Sequence, residues 1–171
     1  CEEMNLAVIV RPGPHINAEM TGFGYPEGIL MDEEIQAKNP WGTTVLYPYA
    51  TGPFPIPSYA SDKLYEKTEI YFQKLKPILQ RHCGGSGCIC LIQADNETCN
   101  FFRDRPYIMD YSDCSKEQYR KFLAERYGTA AAMSERYHRN YSGFQETEPP
   151  CGFEEGDFSS LCYYLDWIEF R

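Results

Sequence analysis

Two short, uninterrupted apolar runs constrain the fold of this chain more than any other feature. They are Leu6-Ala7-Val8-Ile9-Val10 and Cys88-Ile89-Cys90-Leu91-Ile92. Alternating apolar and polar residues mark a strand with one wet face, whereas continuous apolar runs of this length suit parallel strands covered on both faces. The first run meets Arg11-Pro12-Gly13-Pro14, whose prolines stop it. Between the runs, from Ser61 onward, Leu64, Ile70, Tyr71, Leu75 and Ile78 form a helical stripe with Lys and Glu on the other faces. Pro77 is expected to bend or end the last turn of that helix. Gly84-Gly85-Ser86-Gly87 then breaks the chain before the second run. Strand, helix and strand in this order make a βαβ unit, normally with a right-handed crossover.

The stretch from His15 to Tyr59 is rich in Gly, Pro and aromatics and has no long periodicity. A loop of that length tends to be functional. Further on, Ser115-Lys116-Glu117-Gln118 reads as a capping box opening a helix, with Tyr119, Phe122 and Leu123 on its apolar face. Gly128 is its expected stop. Thr129 is placed to cap a following helix through Met133 and Tyr137, and Pro149-Pro150 ends that region. Asp157 is then expected to cap a final helix carrying Leu161, Leu165 and Ile168.

A length of 171 residues usually means one domain. Two parallel strands do not form a stable domain alone, however, and a (β/α)8 barrel needs ~250 residues. The expected fold class is therefore α/β: a partial TIM (β/α)8 barrel covering about two central strands and their helices. Residues 1–171 would be an internal fragment of a larger barrel domain.

Charge and cysteine usage narrow the partners. With 25 acidic against 16 basic residues and no basic stripe, nucleic acid is not an expected partner. The acidic excess reads as a solvated surface. No apolar run approaches the ~18 residues of a membrane span. The opening Cys1-Glu2-Glu3 lacks the basic start and apolar segment of a leader. Eight cysteines sit at 1, 83, 88, 90, 99, 114, 151 and 162, without a Cys-x-x-Cys pair. Cys88 and Cys90 alternate within the second run and are expected as small buried hydrophobes on one strand face. No metal or other cofactor is expected. The 14 tyrosines suit stacking on sugar rings or ordinary packing, and composition does not separate the two.

In barrels of this kind, functional residues lie where strands end. Two polar clusters occupy those points, His15-Ile16-Asn17-Ala18-Glu19 and Asp95-Asn96-Glu97. Carboxylates and amides there suit a ligand rich in hydroxyls. Each cluster also has a plain structural reading. Glu19 fits a loop carboxylate near a cation, Asn17 fits turn chemistry, and Glu97 fits a helix-start carboxylate.

The segment Val8-Ile9-Val10-Arg11-Pro12-Gly13-Pro14-His15-Ile16-Asn17-Ala18-Glu19 resembles the glycone-binding segment of glycoside hydrolase family 35 β-galactosidases. The Gly24-Tyr25-Pro26 turn is similar to that family's Gly-Leu-Pro. Gly84-Gly85-Ser86-Gly87 through Gln93-Ala94-Asp95-Asn96-Glu97 resembles its Gly-Gly-Pro…Gln-x-Glu-Asn-Glu motif. The Asp-Asn-Glu form, with Phe122-Leu123-Ala124-Glu125-Arg126-Tyr127-Gly128-Thr129, looks more like family 42 β-galactosidases. Both families belong to one clan of retaining (β/α)8 enzymes, and the resemblance runs from Leu6 to about Pro150.

The resemblance implies a carbohydrate substrate and a retaining hydrolase acting on terminal β-galactosides or related β-glycosides. It places Glu97 as acid/base and Asn96 on the sugar's 2-hydroxyl. Asn17, Ala18 (through its backbone) and Glu19 would bind other glycone hydroxyls. His15 stands where family 35 has a Tyr, a departure that bears on the sugar more than on the reaction. Thr98-Cys99 and Glu27-Gly28 also depart from that family, on the aglycone side. The cysteine cluster that often holds zinc in family 42 is not carried over: only Cys114 falls near a matching position, beside Tyr111 and Asp113. The clan pattern puts the nucleophile on a later strand, outside this chain, so the fragment alone is expected to be inactive. Two other classes stay open, a catalytically silent sugar-binding barrel and a cysteine-based metal or redox protein.

Overall fold

In chain order the elements are β1 (Val8–Val10), α1 (Glu27–Leu30), β2 (Leu46–Tyr47), β3 (Phe54–Pro55) and α2 (Asp62–Gln80). They continue with β4 (Ile89–Ile92), α3 (Asp113–Tyr127), α4 (Ala130–Tyr137) and α5 (Leu161–Phe170). A computed structural model describes the chain except residues 17–19, 50–51, 86, 95, 97–104 and 155–157, and the side chains of Thr21 and Ser159. The two apolar runs pair as expected. β1 and β4 are parallel, with Val8 opposite Ile89 and Val10 opposite Ile92. Backbone bonds from Val8 N to the Cys88 carbonyl (2.8 Å) and from Gln93 N to the Val10 carbonyl (2.9 Å) extend the ladder. With α2 between the two strands, the class is α/β.

Burial of this sheet departs from expectation. Ile9, Leu91 and Ile92 are 64%, 60% and 50% exposed. Cys90 is exposed and Cys88 half-buried, so neither is the buried hydrophobe foreseen. The physical reason is that, among the described residues, no third strand lies beside β1 or β4.

Helix α2 starts where Ser61 accepts a hydrogen bond from Leu64 N, satisfying one of the orphan donors of the first turn. It passes through Pro77 and runs on to Gln80, with the proline near its end. Of its apolar stripe only Leu64 is buried, while Ile70, Tyr71 and Ile78 are exposed. The Tyr71 hydroxyl donates to the Pro12 carbonyl and ties the helix to the turn after β1. Lys63 bridges Asp32 (2.9 Å) and Glu34 (2.8 Å), and this ammonium holds the Asp32 carboxyl below its usual range.

The aperiodic stretch before α2 has a core of its own. Phe23, Tyr25, Leu30, Ile35, Val45, Phe54 and Ile56 are buried together with Leu64 and Met109. Phe23 packs at 4.8 Å from Tyr47 and 5.3 Å from both Tyr49 and Phe54, ring to ring. The β2–β3 hairpin and the single turn of α1 are too short to show a period, so the sequence registers this region only as a loop.

A second core joins α3, α4 and α5. Helix α3 starts three residues earlier than the capping box at Ser115 suggests. Ser112 is the N-cap and accepts from Ser115 N, with Asp113 in the first turn. Gly128, at φ 69°, ends α3, and Thr129 caps α4 by accepting from Ala132 N, both as expected. Asp157, the expected cap of α5, lies outside the described residues; Ser160 is the residue that precedes the helix. The buried face of α5 is Tyr163, Tyr164 and Trp167 rather than Leu161, Leu165 and Ile168, which are partly exposed. Rings bury more apolar area per residue than leucine. Here Trp167 meets Tyr111 at 5.0 Å and Tyr119 at 5.1 Å. These tyrosines serve packing.

Burial, and then the hydrogen bond to the Asp166 carboxylate, push the Tyr127 hydroxyl up to about 12. Burial also raises Tyr119 and Tyr137. Below pH ~10 these phenols are protonated in both folded and unfolded states. Above it the unfolded chain loses protons first, so stability falls as pH rises from about 10 toward 12. Denaturant midpoints should stay flat up to pH ~10 and then drop while the tyrosinate absorbance of the folded protein lags. Tyr127 titrating at ~10 in the folded state would contradict this.

Candidate active site

Parallel pairing sets the carboxyl ends of β1 and β4 side by side, which is where α/β proteins gather ligand-binding groups. After β1 the chain turns through Gly13 (φ 77°) and Gly24 (φ 92°), and Ile16 N donates to the Phe23 carbonyl (3.0 Å). A Cβ on Gly24 would lie 2.8 Å from Ile16 Cγ1 and 3.0 Å from the Pro14 carbonyl oxygen. Gly24→Ala is therefore expected to cost ~1–3 kcal/mol, through strain at positive φ and displacement of the 14–16 segment. Denaturant unfolding measures this, and a loss under ~0.5 kcal/mol would mean that the turn relaxes freely.

His15 is 4% exposed and stacks on Tyr25, with centroids 5.8 Å apart and planes at 12°. Phe23 lies 5.9 Å from it at a tilt. A cavity of about 220 Å³ adjoins this ring, lined by Gly13, His15, Tyr25, Tyr65, Phe72 and Ala94 among others. From the β4 side comes Asn96, 8% exposed. Its Nδ2 donates to the Ile16 carbonyl (3.2 Å), and its Oδ1 accepts from Gln93 Nε2 (2.9 Å). Arg11 Nε in turn donates to Gln93 Oε1 (3.2 Å). An imidazole and aromatic walls line this cavity, and the Asn96 amide is bonded to the residue next to His15. Such groups suit a ligand that exposes hydroxyls on an apolar ring.

Of the residues expected to form the site, His15 and Asn96 are thus brought to one place, joined through the backbone of Ile16. Asn17, Ala18, Glu19 and Glu97 lie outside the described residues. Sequence reasoning missed Arg11 and Gln93 as partners of the site and saw Tyr25 only as part of a turn. The available signal for Gln93 was its position as the first polar residue after an apolar strand. Among the described residues, no group of three or more His, Cys, Asp or Glu is placed to hold a metal ion. The described cysteines are free thiols.

Fold and cleft together define an α/β protein with polar groups converging at the ends of two parallel strands. The sequence profile of glycoside hydrolase family 42, β-galactosidase, matches residues 58–171, and the chain belongs to that family. A β-1,2-glucosyltransferase of Ignavibacterium album is 31% identical over 98% of this chain and 22% of its own length. An exo-β-D-glucosaminidase of Pyrococcus horikoshii is 27% identical over 99% of this chain and 22% of its own. Among solved structures, a β-galactosidase of the haloarchaeon Halorubrum lacusprofundi superposes with TM-score 0.67 at 19% identity, covering 96% of this chain and 22% of the enzyme. The last likeness is one of fold. The chain spans about a fifth of the length of these relatives. The family match begins after the Arg11–Glu19 segment, on which most of the resemblance to family 35 rests.

Proposed function

We propose that the protein containing this chain is a retaining glycoside hydrolase acting on β-glycosides, terminal β-galactosides among them. In this reading Glu97 is the acid/base and Asn96 holds the 2-hydroxyl. His15, Asn17, Ala18 and Glu19 bind the glycone, and the nucleophile sits on a strand outside these 171 residues. The observation that carries the proposal is the hydrogen bond from Asn96 to the Ile16 carbonyl, which joins two clusters 80 residues apart beyond the ends of the paired strands. The exposed apolar faces of β1 and β4 support reading the chain as part of a (β/α)8 barrel domain whose other strands would cover them.

Retaining hydrolysis uses two carboxyl groups ~5–5.5 Å apart, one as nucleophile and one as acid then base. Glu97 must start protonated, although a free Glu ionises at ~4.3. In such a site, burial beside the nucleophile's carboxylate would supply the upward shift that this role requires. It then gives its proton to the departing oxygen and later takes one from the water that releases the sugar. Asn96 contributes by binding the 2-position more tightly as positive charge develops at the anomeric carbon.

The sugar is the open variable. The relatives' names point to glucosyl and glucosaminyl units as well as galactosyl ones, and His15 replaces the Tyr of family 35. The test is turnover of 4-nitrophenyl β-galactoside, β-glucoside and β-glucosaminide by the full-length protein, with the first-formed anomer read by NMR. At least one substrate should be cleaved with retention, while the 171-residue chain alone should be inert. Inversion overturns the mechanism. Binding without turnover on all three points instead to the silent sugar-binding barrel.

A further inference from the structure

Building on the proposed role of Asn96 as the amide that meets the sugar, we infer that Gln93 and Arg11 are positioning residues that set the orientation of this amide. The oxygen and nitrogen of a carboxamide are nearly alike in shape, so the group fits its space in two ways related by a half-turn. Here a chain of hydrogen bonds with one allowed direction chooses between them. At one end the Arg11 guanidinium can only donate, so Gln93 must turn Oε1 toward it, at 3.2 Å. That choice aims Gln93 Nε2 at Asn96 Oδ1, 2.9 Å away. At the other end the Ile16 carbonyl can only accept, so Asn96 must give it Nδ2, at 3.2 Å.

The two ends demand the same orientation independently. Reversing the Asn96 amide would set oxygen against oxygen at Ile16 and donor against donor at Gln93. The relay is also anchored at its middle. Gln93 N donates to the Val10 carbonyl at 2.9 Å, so its backbone belongs to the parallel ladder rather than to a free loop. Asn96 is 8% exposed, which leaves water little room to compensate a wrong orientation. A glycone therefore meets an amide whose polarity was set before it arrived, and no reorganisation is needed as charge develops. The stacked pair of His15 and Tyr25 is shared with the site already described and does not enter the relay.

The test uses the full-length protein and whichever 4-nitrophenyl β-glycoside it cleaves best, together with the 2-deoxy counterpart, which lacks the group that Asn96 would bind. Gln93→Glu keeps the side chain's size and its acceptor for Arg11 but has no donor for Asn96. Its kcat/KM on the parent substrate should fall about 10²-fold. On the 2-deoxy substrate, variant and wild type should agree within about threefold. Arg11→Met, which frees Gln93 to reverse without placing a charge in the relay, should show the same selectivity with about a tenfold loss. Asn96→Ala is the reference. If Asn96→Ala costs both substrates equally, the contact to the 2-position falls, and the inference falls with it. If Asn96→Ala discriminates between the substrates but Gln93→Glu and Arg11→Met do not, the inference alone is overturned. Equal loss on both substrates in the two relay variants would show a merely structural role and also overturns it.

Discussion

Glu97→Ala in the full-length protein should lower kcat/KM on β-glycosides with poor leaving groups by roughly 10²–10⁴-fold, the range of general acid help. A 2,4-dinitrophenyl glycoside should be affected far less in the same measure. Its phenolate departs without a proton, so the step that forms the glycosyl-enzyme no longer depends on the missing acid. Release of the sugar should then become slow, because the proposed role also makes Glu97 the base that deprotonates the attacking water. A burst of dinitrophenolate followed by a slower steady state is the expected time course. Azide, which attacks without needing a base, should speed the second phase and yield a glycosyl azide of retained configuration. Equal loss on good and poor leaving groups would remove Glu97 from the acid/base role. It would leave the family membership untouched, because that rests on residues 58–171 as a whole.

The second large effect concerns stability. Asp166 is 1% exposed and accepts from the hydroxyls of Tyr127 and Tyr137, each at 2.6 Å, while Arg126 Nε lies 3.2 Å from its other oxygen. Those partners come from α3 and α4, so one carboxylate on α5 ties three helices together. Asp166→Ala would strand two phenol hydroxyls and leave Arg126, among the described residues, with Glu169 at 2.6 Å as its ion-pair partner. Stranding a buried hydroxyl costs ~1–3 kcal/mol, while Arg126, 37% exposed, is solvated by water. Denaturant unfolding should show a loss of that order. Asp166→Asn, which keeps one acceptor oxygen, should lose less. A loss below ~1 kcal/mol for the alanine variant would mean that water or a shifted side chain takes over the role of the carboxylate.

Much of the local structure was legible in the residues. The strands at Val8–Val10 and Ile89–Ile92, the helix from Ser61, the stop at Gly128 and the cap at Thr129 all depend on neighbours within a few positions. The cap at Ser112 was missed because Ser115 offers the same chemistry one turn later, and local spacing alone does not choose between two serines. The buried face of α5 is not legible in the residues for a different reason. Its Leu161-Leu165-Ile168 stripe has the helical period of a core face. Yet Tyr163, Tyr164 and Trp167 lie on another side of the same helix, and the aromatic partners that recruit them come from α3, α4 and the Tyr111 region. A hydropathy pattern ranks faces by polarity and carries no record of which neighbours will arrive.

At the two apolar runs, the residues alone determined that there would be strands and that they would be parallel, because continuous apolar strands joined by a helix have few other solutions. They also determined that polar clusters would stand at both strand ends. Tertiary structure decided what those clusters are to one another. Pairing Val10 with Ile92 brings Asn96 onto the Ile16 carbonyl and lines up Arg11, Gln93 and Asn96 in a relay that no local spacing encodes. Caps and turns are settled by hydrogen bonds within a few residues, whereas the relay spans some 80 positions and exists only once the ladder has closed.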